Sequence, residues 1–168
     1  SHGGSIRVFA APFEAGRSVS EGVTNLIQLE EKAGLFDSAA YSKLTAQIVE
    51  AGDRLTAEIS AAKRAGRRIA GYGAPAKATT LMHQFGLTNT DIEYIVDDSP
   101  WKQGLLSPGL NVPIFASSQL EQQPVDDVVV LAWNFADPII ENNKSFLTGN
   151  RRFIVPLPTL RMVSADDF

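Results

Sequence analysis

Hydrophobic and polar positions follow two rhythms along this 168-residue chain, and the change falls near Gly66. Before it, apolar side chains recur at three- and four-residue spacing: Val19, Val23, Leu26 and Ile27 up to Gly34, then Tyr41, Leu44, Ile48, Ala51, Leu55, Ile59 and Ala62 up to Gly66. That spacing puts apolar side chains on one face of a helix. Residues 16–66 are therefore expected to form a helical pair, the second helix capped by Asp37 or Ser38. Each apolar stripe needs a packing partner, so the pair is expected to brace the following domain or join it to another; the heptads are too few for a dimerising coiled coil. Ahead of the pair, Ile6 to Ala10 reads as a strand within a segment, 1–15, left from a preceding domain. A start without Met and almost at once in that run is what a piece of a longer polypeptide would show.

From Arg68 onward short apolar runs alternate with helical stretches. Strands are expected over Arg68–Tyr72, Ile92–Asp97, Val112–Phe115, Asp127–Ala132 and Arg152–Val155, the last closing the sheet. Helical segments fall between them, over Ala76–Phe85, Ser117–Glu121 and Asp137–Phe146. The run Val128-Val129-Val130-Leu131 has no polar face, as in a parallel strand covered on both sides. The pattern predicts an α/β fold: a Rossmann-like doubly wound parallel sheet over 67–168, preceded by the N-terminal helical pair.

Composition narrows the partners. Fifteen basic against nineteen acidic residues give a net charge of -4, and no basic run offers several phosphates in a row a counter-charge, which argues against nucleic acid. Cysteine is absent and histidine is limited to His2 and His83, so neither a disulfide framework nor a structural zinc site is expected in these residues. No apolar run approaches membrane-spanning length and the start lacks the apolar core of a signal peptide, so a soluble, cytoplasmic protein is expected, with no membrane partner.

Candidate chemistry centres on the turn after the first strand of the sheet. Gly71, Gly73 and Ala76 in Gly71-Tyr72-Gly73-Ala74-Pro75-Ala76-Lys77 match the G-x-G-x-x-A spacing in which backbone approaches a pyrophosphate. On that reading Gly71 permits the turn, Gly73 leaves room for phosphate oxygens, Ala76 lets the helix lie near its strand, and Pro75 is the first helical residue. Lys77 in the first helical turn opposes the helix dipole, a placement that makes sense with an anion between its ammonium and the free amides. The plain alternative is an exposed lysine on an ordinary strand-to-helix turn.

The carboxyl ends of the other strands supply the remaining candidates. Asp97, at the end of the second strand, is placed to accept hydrogen bonds from ribose hydroxyls or to cap a turn before Ser99-Pro100. The apolar connection from Lys102 through Ser107, Pro108 and Gly109 suits a binding loop, or a Pro-Gly turn before the third strand. Trp133 either stacks on a nucleobase or fills core, and Asn134 either bonds the base or caps the next helix. No Ser-His-Asp set, carboxylate pair or histidine metal cluster stands out, so no catalytic and no metal-binding residue is assigned, and His83 is expected to be structural.

Gly71 to Leu81, then Val96-Asp97-Asp98-Ser99-Pro100-Trp101-Lys102-Gln103-Gly104, then Ser107-Pro108-Gly109 and Trp133-Asn134 together resemble the C-terminal domain of the SAM-dependent sugar C-methyltransferases, and the opening His2–Val8 looks like the strand leaving that family's central domain. The resemblance spans essentially the whole chain. It implies a larger enzyme with an N-terminal zinc-binding part, a central SAM-binding domain that carries the catalytic base, and a C-terminal domain that helps hold a nucleotide-linked deoxysugar. It implies no cofactor in this chain, and substrate contacts from Gly71, Tyr72, Gly73, Ala74, Lys77, Asp97, Lys102, Ser107, Pro108, Gly109, Trp133 and Asn134. A nucleotide-sugar-binding module of sugar acyltransferases resembles the same glycine turn, Lys and Asp-Asp pattern. An NAD(P)-binding oxidoreductase domain is the third reading, against which no hydride-transfer partner is visible. Preference for thymidine diphosphate, uridine diphosphate or nicotinamide dinucleotide would separate the three.

Overall fold

The computed structural model describes residues 5–168. The chain forms two compact units, one up to Ile48 and one from Val49 to Phe168, with one long helix running through the boundary. In the first unit α1 spans Glu21–Lys32 and α2 begins at Ser38, continuing to Arg64. Asp37, rather than Ser38, caps α2: its carboxylate accepts the amide of Ala39 at 3.0 Å. Ile6 to Ala10 is not a strand. Extended backbone becomes a strand only by pairing, and no strand among the described residues pairs with this run. The part of the family-like opening that falls on residues 2–4 lies outside the described residues.

The second unit is the α/β sheet. Its strands are β1 (Ile69–Tyr72), β2 (Ile95–Val96), β3 (Ile114–Phe115), β4 (Asp127–Val130), β5 (Arg152–Val155) and β6 (Arg161–Val163), in the order β3-β2-β1-β4-β5-β6. The first five run parallel; β6 joins antiparallel, with Ile154 opposite Met162. Thus β5 does not close the sheet, as the pattern suggested. β6 is short, and two of its three residues are exposed, so it carries little apolar signal.

Side chains alternate across the sheet, as the pleat requires. Ile69, Val129, Leu131 and Ile154 face one layer with Leu55, Ile59 and Ala62 of α2 and Ala78, Leu81 and Met82 of α3 (Ala76–Gln84). Ala70, Tyr72, Val128, Val130, Phe153 and Val155 face the other, with Leu120 of α4 (Gln119–Gln122) and Ala136 and Ile140 of α5 (Ala136–Asn142). Helices on both faces make the sheet doubly wound. The second predicted strand contracts to Ile95–Val96, although ladder bonds continue from the Glu93 amide to the Ile69 carbonyl at 2.9 Å. The predicted helix from Asp137 to Phe146 instead starts at Ala136, after a 3-10 turn at Trp133–Phe135, and breaks at Asn143 into a second at Lys144–Phe146.

At the amino ends of the strands, Asp127 is fully buried between two guanidiniums. Arg67 donates to it at 2.6 and 2.7 Å, and Arg152 at 2.9 and 3.2 Å. Arg152 also pairs with Glu58 of α2 at 3.0 Å. The cluster ties β4, β5 and α2 together at the end of the sheet opposite the glycine turn.

Candidate functional site

Strand order reverses between β1 and β4, so the crevice beyond their carboxyl ends is the ligand position expected of such a sheet. The glycine turn and the Ala132-Trp133-Asn134 segment meet there. Gly73 has φ +89°, and a Cβ on it would lie 2.6 Å from Cβ of Ala132. The positive φ and the touch of the two crossing loops each require glycine here, whatever ligand approaches the turn. Gly71 lies inside β1, where a Cβ would come 2.7 Å from Cδ1 of Leu131. Its role is packing between neighbouring strands, not turn formation. Pro75 is the cap rather than the first helical residue, and Ala76 is exposed; the close helix-to-sheet approach is made by Ala78.

Asp97 links this turn to the next loop. One carboxylate oxygen accepts the Ala74 amide at 2.6 Å and the Lys102 ammonium at 3.0 Å, and the other accepts the Ser99 amide at 2.9 Å. Burial pushes the Asp97 carboxyl up, but these amides and Lys102 outweigh it and hold it below the usual carboxylate range. Its acceptor capacity is largely committed to the protein, and the Ala74 amide is committed with it. Tyr72 donates on the opposite face of β1 to the Asp98 carboxylate at 3.0 Å and accepts from Asn143 at 3.2 Å. Burial is the main force that raises its phenol to about 12.

The loop from Lys102 to Gly109 folds back on the start of β3. Ser107 is buried, its hydroxyl accepting the Val112 amide at 3.0 Å, and Gly109 lies against the His83 ring, where a Cβ would sit 3.0 Å from Nε2. Between this loop and α3 lies a cavity of about 220 Å³ lined by apolar side chains such as Met82, Leu105 and Leu106, with Ala74, Lys102, Ser107 and Pro108 on its wall.

Across the crevice, the Lys77 ammonium sits 4.3 Å from the centre of the Trp133 ring. Among the described residues no carboxylate lies within ion-pair distance of it. Desolvation lowers its pKa. Trp133 and the exposed Asn134 also border a groove of about 420 Å³, closed on its far side by Leu157 to Arg161. Two sets of predicted residues are thus gathered, Lys77 with Trp133 and Asn134, and Ala74 with Lys102, Ser107 and Pro108. Sequence reasoning passed over Ala132, Asn143 and the Leu157–Arg161 wall. The wall was detectable, because Pro156-Leu157-Pro158 follows directly on the carboxyl end of β5. Among the described residues no group of three or more His, Cys, Asp or Glu is placed to hold a metal, and no helix is long and apolar enough to cross a membrane.

A family model of the C-methyltransferase C-terminal domain matches residues 1–158, which takes in the glycine turn, both loops that flank it and all five parallel strands. The chain belongs to that family. C-methyltransferase NovU of Streptomyces niveus is 37% identical over 169 residues, an alignment covering 98% of this chain and 39% of that protein. The chain therefore spans well under half the length of this curated relative. In this C-methyltransferase C-terminal domain the family match ends at Pro158, so β6 lies beyond it.

Proposed function

We propose that this domain holds the substrate of a SAM-dependent sugar C-methyltransferase, a nucleotide-linked keto-deoxysugar of the thymidine diphosphate type. The observation that carries the reading is Lys77: a cation in the first turn of α3, resting on Trp133 beside the strand-order reversal, with no carboxylate partner among the described residues. A diphosphate there gains the ammonium and the positive end of the helix together. Trp133 and Asn134 line the adjoining groove, where they are placed to meet the nucleoside or sugar. Gly71 and Gly73 act by letting the strands and loops close up, Tyr72 by anchoring Asp98, and Asp97 by fixing Ala74 and Lys102 rather than by accepting from ribose. Ser107, Pro108 and Gly109 shape the second cavity wall or the turn behind it.

In the parent enzyme SAM supplies the methyl group. The proton to be removed lies on a sugar carbon beside a keto group, and the base that takes it belongs to residues outside this chain. On this reading the isolated domain binds and orients but does not methylate.

Calorimetric titration of the purified chain with thymidine diphosphate, uridine diphosphate, NADH and SAM tests this. Saturable thymidine diphosphate binding, weakened about tenfold or more by Lys77→Ala as for loss of a charged hydrogen bond, and no heat with SAM, is the expected result. Binding of NADH in place of thymidine diphosphate, or thymidine diphosphate binding indifferent to both Lys77→Ala and Trp133→Ala, overturns it.

A further inference from the structure

All fourteen large apolar side chains between residues 5 and 48 are exposed, from Leu26 at 37% to Phe13 at 97%. Neither α1 nor the part of α2 before Val49 buries a residue. A twelve-residue helix is marginal in water without tertiary packing, and α1 leaves Val23, Leu26, Ile27 and Leu29 in solvent. Folded monomers rarely leave contiguous apolar surface beyond a few hundred Å² uncovered unless something binds there. The surface is nearly neutral, with four basic and five acidic side chains in residues 5–48, so it offers no field for nucleic acid or an anionic membrane.

The family and its relative point to the occupant. The family is one of C-terminal domains, and this chain accounts for 39% of C-methyltransferase NovU, so the larger part of such a protein precedes the domain and adjoins residues 5–48 in sequence. We propose that residues 5–48 form an interdomain seat: the apolar side chains of α1 and of the first part of α2, with Leu44 and Ile48, pack against the preceding part of the parent polypeptide. A segment adjacent in the same chain is at high effective concentration, so packing on it needs little affinity of its own. The inference does not depend on the Lys77 site.

Hydrogen exchange compared between the 168-residue chain and the full-length parent is the test, with sedimentation reporting the oligomeric state of each. The expected result is a monomeric chain in which the amides of Glu21–Lys32 exchange at least tenfold faster than in the parent. The double variant Leu26→Glu/Ile27→Glu in the parent should restore the fast exchange of α1 while β1, β4 and β5 keep their protection. Equal exchange of α1 in the two wild-type proteins overturns the proposal, whatever the variant does. So does a dimeric chain whose α1 is already protected, which would make the occupant a second copy.

Discussion

Replacing Asp127 by Ala removes the carboxylate that receives four hydrogen bonds from Arg67 and Arg152 at 2.6–3.2 Å. The two guanidiniums then face each other at the amino end of the sheet. Arg152 keeps Glu58 at 3.0 Å, and Arg67 keeps the carbonyls of Asp126 at 3.1 Å and Asn150 at 2.8 Å. Breaking a buried ion pair by deleting one partner costs about 3–5 kcal/mol; these surviving partners place the expected loss at the low end, about 3 kcal/mol. With a urea slope of about 1–3 kcal/mol/M for a small domain, the unfolding midpoint should fall by about 1–3 M. The pH dependence adds a sign. Burial pushes the Asp127 carboxyl up, but the hydrogen bonds from Arg67 and Arg152 outweigh it, and its folded pKa lies below the ordinary value. Its stabilising contribution is therefore complete above the unfolded pKa of about 3.9 and is lost as pH falls through the folded value. Urea melts of wild type and variant should differ fully at pH 7 and converge below about pH 4. A loss under about 1 kcal/mol at pH 7, the level of an exposed pair, or a gap that widens in acid, refutes the reasoning.

Gly73→Ala should destabilise by about 2–4 kcal/mol, combining a disfavoured backbone region with an unrelieved clash, because its Cβ would sit 2.6 Å from that of Ala132. Gly66→Ala, at φ +72° with open space around it, should cost only about 1 kcal/mol, and equal losses in thermal melts of the two would contradict the crossing-loop account. Tyr72 should ionise only near pH 12, since burial disfavours its phenolate. An ultraviolet titration in which Tyr72→Phe removes a step near pH 10 instead would show that the ring is not held as described.

The sheet was legible because its strands are continuous apolar runs that punctuate helices, and Val128 to Leu131 needed no partner to be recognised. The helical pair was legible from spacing, whereas its burial was not: periodicity shows which face is apolar, not what covers it. Ile6 to Ala10 misled because a short, mostly apolar run describes a strand only where a neighbour supplies the ladder. At the site, the glycines and Asp97 were located by motif and spacing, yet their local reasons lay in residues far away in sequence. Gly73 meets Ala132, Gly71 meets Leu131, and Asp97 spends its oxygens on Ala74, Ser99 and Lys102. The Asp127 cluster was invisible for the same cause, since Arg67 is 60 residues away and Arg152 is 25.

Chemical-shift mapping of thymidine diphosphate on the uniformly 15N-labelled chain tests the central claim most directly, because it asks where the ligand goes. The largest changes are expected at the amides of Ala76 to Thr79, at the first turn of α3, and at the indole N–H of Trp133, with Lys77→Ala abolishing them at the same ligand concentration. Saturable shifts confined to other parts of the sheet, with those amides and the indole unmoved, would contradict the placement of the substrate at Lys77 and Trp133.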